Sequence, residues 1–218
     1  MRRLWRQFQA LLTPGVRGLL LLWTGVSLAV MVGRLSGIFD LSDRLSLDGW
    51  RFWSGQVWRL FSWPLLPGTM MGFLGSALML VLLGGLLERV WSRSEFWMNC
   101  AVAAFGAGLA QIIFRSLAPP ALAGMAPVVF GLMVAWAMLL GHERISVVLF
   151  GEITVRRLAV VMAAVSLVMT WFSAGPGAVM ILLAAGSAEF GFLWLRTRIL
   201  MSRGSRTVHS ERINRLEL

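Results

Sequence analysis

Residues 124–133 read GMAPVVFGLM, inside a run from Leu117 to Gly141 that carries no charged side chain. A proline and three small residues stand where an ordinary membrane helix carries leucine. Proline lacks a backbone donor and glycine costs backbone entropy, so both weaken a helix. A buried segment made of such pieces, with no reactive side chain, needs a reason beyond crossing a membrane.

Outward from this stretch the whole chain is apolar. Of its 218 residues 58% are hydrophobic and 14% charged, and the mean hydropathy is +0.76. A soluble domain of this size would need far more polar surface, so the expected solvent is lipid. The first apolar stretch, from about Gly18, follows a basic segment and is too long for a signal-peptide core, which predicts a retained membrane helix. All 20 basic residues are arginine. The pI near 11.8 would suit nucleic acid, but no RNA- or DNA-binding motif accompanies the charge, and arginines at helix ends set membrane topology. Cys100 is the only cysteine, which excludes an intramolecular disulfide.

A spanning helix needs about 20 mainly apolar residues. Six segments qualify, at roughly 18–39, 68–87, 96–117, 121–141, 157–174 and 177–195. The expected organisation is a basic N-terminus (1–17), a six-helix membrane domain (18–195) and a basic tail (196–218). An even number of spans puts both termini on one side, and the arginine excess there predicts a cytoplasmic side. The loop at about 40–67 holds Trp50, Trp53, Trp58 and Trp63 among arginines, a composition suited to lying in the headgroup layer. Residues 145–157 (ISVVLFGEITVRR) are expected to form a second interfacial turn.

Hydrolysis in a membrane needs a nucleophile and a base at depth. The two histidines, His142 and His209, fall on the cytoplasmic side or tail, lysine is absent, and Asp40, Asp43 and Asp48 all lie in the external loop. Neither a Ser–His nor a Ser–Lys dyad nor an aspartate pair can then form. His142, Glu143 and one distant cysteine do not make a zinc site, so no metal and no cofactor are expected. Glu189 is the exception: a carboxylate inside span six marks function by default, unless a neighbouring helix or Arg115 satisfies it. Small residues recur at four-residue spacing, at Gly68, Gly72 and Ser76, Ala104 and Gly108, Gly131 and Ala135, and Ser187 and Gly191. This pattern predicts close helix packing within the chain.

These pieces resemble the rhomboid intramembrane protease family over about residues 15–195. The loop carries the family's Trp-Arg landmark at Trp58 and Arg59 in VWRLFSWPLLP. GGLLERVWSRSEF is similar to the family's Gly-Gly, Glu-Arg and turn pattern at Glu88 and Arg89, although Trp91 replaces the turn's leucine and the glycine before Ser92 is missing. GMAPVVFGLM looks like the run that follows Gly-x-Ser-Gly. The resemblance implies an all-α polytopic membrane protein, a six-helix bundle with a membrane-embedded first external loop.

It also implies that the chemistry is gone. Ala126 stands at the nucleophile position and Pro127 at the following glycine. The histidine position, three residues before Gly191, falls on Ala188, or on Glu189 with a one-residue shift. Gly72 and Ser76 replace the His-x-x-x-Asn pair. The expected function is that of an inactive rhomboid-like protein, not an enzyme, which binds or scaffolds other membrane proteins. Its partners would be the bilayer and a client transmembrane helix, with no nucleic acid and no small-molecule substrate. The expected groove residues are Trp58, Arg59, Gly72, Ser76, Gly124, Ala126, Gly131, Glu189 and Gly191. The alternative is a transporter or channel subunit that handles ions at Glu189. Arginine-only basicity and compact termini point to a bacterial inner membrane.

Overall fold

Helix α1 (Pro14–Ser36) starts at a proline, whose fixed φ and missing N–H suit a first helical turn. In the computed structural model, which describes residues 12–36, 41–114, 116–117, 121–147 and 151–214, the open amides of that turn are met by Glu88. Its carboxylate accepts from the Gly15 amide at 2.7 Å, from the Val16 amide at 3.0 Å and from the Thr13 hydroxyl. An anion there also complements the helix dipole. One stripe of α1 (Val16, Leu19, Trp23, Val30) is buried, while Leu21, Leu22, Leu28, Met31 and Leu35 face outward.

The 41–67 loop folds into three short helices, α2 (Leu41–Leu45), α3 (Gly49–Trp53) and α4 (Arg59–Ser62), and a 3-10 turn (Trp63–Leu65). Asp48 caps α3 by accepting the Trp50 amide at 2.9 Å. The loop has two faces. Leu47, Leu60 and Trp63 are buried, whereas Trp50, Trp53, Trp58 and Phe61 are more than half exposed. The inner face rests on Gly108, where an added Cβ would stand 2.5 Å from Leu60 Cδ1. Trp23 of α1 ties down the loop's far end by donating its indole N–H to the Leu66 carbonyl at 3.1 Å.

Helix α5 (Met70–Met79) is capped by Thr69, passes through a π turn (Leu80–Gly84) and ends in a further short turn (Gly85–Leu87). Ser92 and Glu95 form a capping box that starts α6 (Arg93–Ile113) three residues before the expected boundary. Helix α7 (Ala126–Leu139) is shorter than the 121–141 segment predicted for it. Gly124 holds a φ of 101°, in the left-handed region open to glycine, and Pro127 stands in the first turn. Residues 121–125 are therefore coil, bridged to the loop through Leu122 and Leu47. At 14 residues, α7 is about 21 Å long, against a hydrocarbon core of about 30 Å.

The segment predicted as a turn at 145–157 forms an antiparallel hairpin, β1 (Arg144–Val147) with β2 (Gly151–Thr154), in which Ile145 pairs Ile153 and Ser146 pairs Glu152. The all-α expectation needs this correction: alternating β-branched residues close the hairpin before the next helix can start. Helix α8 (Val155–Asn214) covers the last two predicted spans as two arms, broken where Gly175 adopts φ 80° and Pro176 follows. The second arm continues past 195 into the tail.

Among the described residues, three helical stretches are long and apolar enough to cross a membrane: 14–33, 93–113 and 155–198, with mean hydropathies of 1.7, 1.5 and 1.9. Two shorter apolar helices, 72–87 and 126–139, accompany them. Helix α7 packs between α6 and the second arm of α8, where a Cβ on Gly131 would meet Ala103 Cβ at 2.5 Å and the Ala185 carbonyl at 3.7 Å. Gly106 of α6 meets Ala188 and Ala184 in the same way. With no hydrophobic drive between helices in lipid, such close approach supplies the packing energy.

Candidate functional site

At the loop end of the helices, the chain forms an open cavity of about 370 Å³. Trp23 of α1, Thr69, Gly72, Phe73 and Ser76 of α5 and its cap, the 121–125 coil, Ala126 and Pro127 of α7, and Thr170, Ala174, Ala178, Ile181 and Leu182 from the two arms of α8 line it. The coil is held over it by the Gly124 amide, which donates to the Trp63 carbonyl at 3.1 Å. Gly68 and Gly124 approach so closely there that a Cβ on Gly124 would stand 3.5 Å from the Gly68 Cα. The break at Gly175 turns α8 so that both arms contribute to one wall.

Five of the sequence-predicted positions meet in this cavity: Gly72, Ser76, Gly124, Ala126 and Pro127. Ala126 is exposed to it and Pro127 is buried beneath. The cavity's side-chain hydroxyls are those of Thr69, Ser76 and Thr170, and Thr69 Oγ1 already accepts the Gly72 amide at 3.1 Å. No histidine, cysteine or carboxylate is among its lining residues, and no three potential ligands cluster for a metal ion among the described residues. Such a wall recognises shape and offers a few hydrogen bonds; it has no nucleophile paired with a base.

The other predicted positions lie elsewhere. Ala188 packs against Gly106 of α6, and the α8 side chains that reach the Ala126 cavity from the second arm are Ala178, Ile181 and Leu182. A Cβ on Gly191 would meet nothing within 4 Å, and Ser187 is exposed. The tight contacts on the second arm of α8 are made instead by Ala184 and Ala188 against Gly106 and by Gly186 against Phe130, because the helical turn carries 187 and 191 off the packed face. Glu189 is fully buried, and neither of its oxygens has a hydrogen-bond partner among the described residues. Arg115, its predicted partner, lies outside the described residues.

Trp58 and Arg59 line a separate crevice in the loop. The Arg59 guanidinium is 2% exposed. Its Nη1 donates to the Asp43 and Ser46 carbonyls and its Nε to Gln56 Oε1, each at 2.6 Å. Burial, then the neighbouring Arg51, holds its pKa below that of an ordinary arginine, while the hydrogen bond from Arg51 to Asp43 raises that of Arg51. Arg59 thus organises the loop rather than the cavity. Sequence reading missed Glu88 as the cap of α1 and the buried amide of Asn99 on α6, which donates to the Glu95 carbonyl at 2.6 Å. Neither pairing belongs to the apolar periodicity by which helices are read from sequence.

A family model described as "Eukaryotic integral membrane protein (DUF1751)" matches residues 17–198. No curated protein matches the chain. The description of that family overturns the expected bacterial inner membrane. Arginine in place of lysine keeps the same charge at every helix end, so it carries no information about which membrane the chain occupies.

Proposed function

The chain belongs to the integral membrane protein family DUF1751, and we propose that within it this is a rhomboid-like, six-span protein without peptidase activity that binds or scaffolds other membrane proteins. The observation that carries the reading is the cavity at Ala126. It gathers Gly72, Ser76, Gly124, Ala126 and Pro127 against small and apolar side chains, with no nucleophile–base pair on its walls. Small residues lower the wall enough for a partner helix to approach closely, and three hydroxyls offer it hydrogen bonds. The irregular backbone at the site is the 121–125 coil, tied to the loop through the Trp63 carbonyl.

The test is recovery of membrane partners in nanodiscs from native membranes by the full chain and by Ala126→Trp. The expected result is a specific, near-stoichiometric membrane protein whose recovery falls about tenfold in the variant. Equal recovery by both, with the variant folded, overturns the reading. The alternative reading, ion handling, rests on the buried, unpartnered carboxyl of Glu189. Glu189 lines neither the Ala126 cavity nor the loop crevice, and ion flux in liposomes through the purified chain would favour it.

A further inference from the structure

At the other end of the helices the polar connections are basic. Glu88 caps α1 there, Glu95 pairs with Arg196, and Arg198 stacks on Trp194 at 4.6 Å. A second cavity, of about 310 Å³, opens at this end between α7 and the two arms of α8. Its length is apolar, walled by Met133, Ala137, Ala159, Ala163 and Phe190, and its mouth carries Arg156 and His142. The mouth is a built feature: the Arg156 amide donates to the Gly141 carbonyl at 3.2 Å and the Val155 amide to the Glu143 carbonyl at 3.0 Å. Gly141 has no side chain, and a Cβ there would stand 3.4 Å from Arg156 Cβ.

We propose that this groove binds one anionic membrane phospholipid, with its phosphate on Arg156 and His142 and an acyl chain along the apolar wall. Charge complementarity selects that occupant. Among the described residues no carboxylate pairs with Arg156; the nearby Arg144 takes Glu152 at 3.9 Å, and Glu143 does not line the groove. A guanidinium with five donors suits a phosphate, and His142 adds a ring N–H. The groove runs from the first charged residues after α7 back among its apolar side chains, so a phosphate at the mouth would lead the start of an acyl chain onto an apolar wall. A free phosphate would leave the apolar wall uncovered, and a wholly apolar helix would leave Arg156 at the mouth without a counter-charge.

The proposal is tested on the full chain in detergent, titrated with phosphatidylglycerol or with phosphatidylcholine of the same acyl chains, and read by native mass spectrometry. The expected result is one phosphatidylglycerol retained per chain in preference to phosphatidylcholine. Arg156→Gln weakens it about tenfold, the loss of one charge-assisted hydrogen bond to the phosphate. Arg157→Gln, which removes the same charge outside the groove, leaves it unchanged, and Ala163→Trp abolishes it. Equal weakening by Arg156→Gln and Arg157→Gln would reduce the effect to general attraction by a chain of net charge +10 and overturn the site. Equal retention of the two lipids would do the same. Should Ala163→Trp fail to fold, the two arginine variants still decide.

Discussion

Arg59→Ala lowers the apparent unfolding midpoint of the purified protein by about 10 °C. The guanidinium is buried and makes three hydrogen bonds, two of them to the main-chain carbonyls of Asp43 and Ser46. Deleting it leaves two main-chain carbonyls and the Gln56 amide oxygen without their donor, a cost of about 3–4 kcal/mol. For a chain of this length each kcal/mol moves the midpoint by about 2–4 °C. Arg59→Lys recovers only part of the loss, because one ammonium on a flexible stem cannot serve two carbonyls and Gln56 with the fixed fork of a guanidinium. Tryptophan fluorescence during heating in a mild detergent measures both. A midpoint for Arg59→Ala within a degree of the parent would refute the view that this side chain holds the loop together.

Gly106→Leu has the larger effect on the bundle itself. A Cβ at Gly106 would stand 2.4 Å from Ala188 Cβ and 3.0 Å from the Ala184 carbonyl oxygen. One of those neighbours is backbone, so the strain cannot be relieved by a rotamer change, and α6 must move away from α8. Overpacking that only displaces side chains costs about 1–3 kcal/mol; separating two helices that also carry the Gly131 contact puts the expected loss at or above the top of that range. Gly191→Leu is the control. It lies on the same helix as Ala188 with nothing within 4 Å, and it should change stability by no more than about 0.5 kcal/mol, with leucine's better helix propensity in its favour. Size-exclusion profiles and unfolding midpoints of the two variants in detergent compare them directly. Similar behaviour of both would mean that the Gly106 crossing does not hold the bundle.

The contrast between those two glycines marks the limit of pattern reading. The sequence shows small residues at four-residue spacing on α8, but that spacing does not say which of the helix's faces meets a neighbour. The predicted pair at Ser187 and Gly191 is off the packed side, and the contacts are made by Ala184, Ala188 and Gly186. On α6, Gly108 receives Leu60 of the short loop helix α4 rather than one of the long helices. A helix surrounded by lipid is apolar on every side, so hydrophobic periodicity, which identifies the buried face of a soluble helix, is weak here.

Composition and the spacing of apolar runs determined by themselves that this is a helical membrane protein. They also located most of its helices to within a few residues, because lipid imposes length and backbone self-satisfaction on any segment that enters it. The residue inventory likewise determined which side chains are available for chemistry. Only the tertiary structure decided where they stand. It gathers Gly72, Ser76, Gly124, Ala126 and Pro127 around one cavity, sends Arg59 to the loop's carbonyls, gives Glu88 to the start of α1, and leaves Glu189 buried away from the cavity. Each of these placements is set by contacts between segments far apart in the chain, where the angle of a kink at Gly175 and the lack of a single Cβ choose the neighbour.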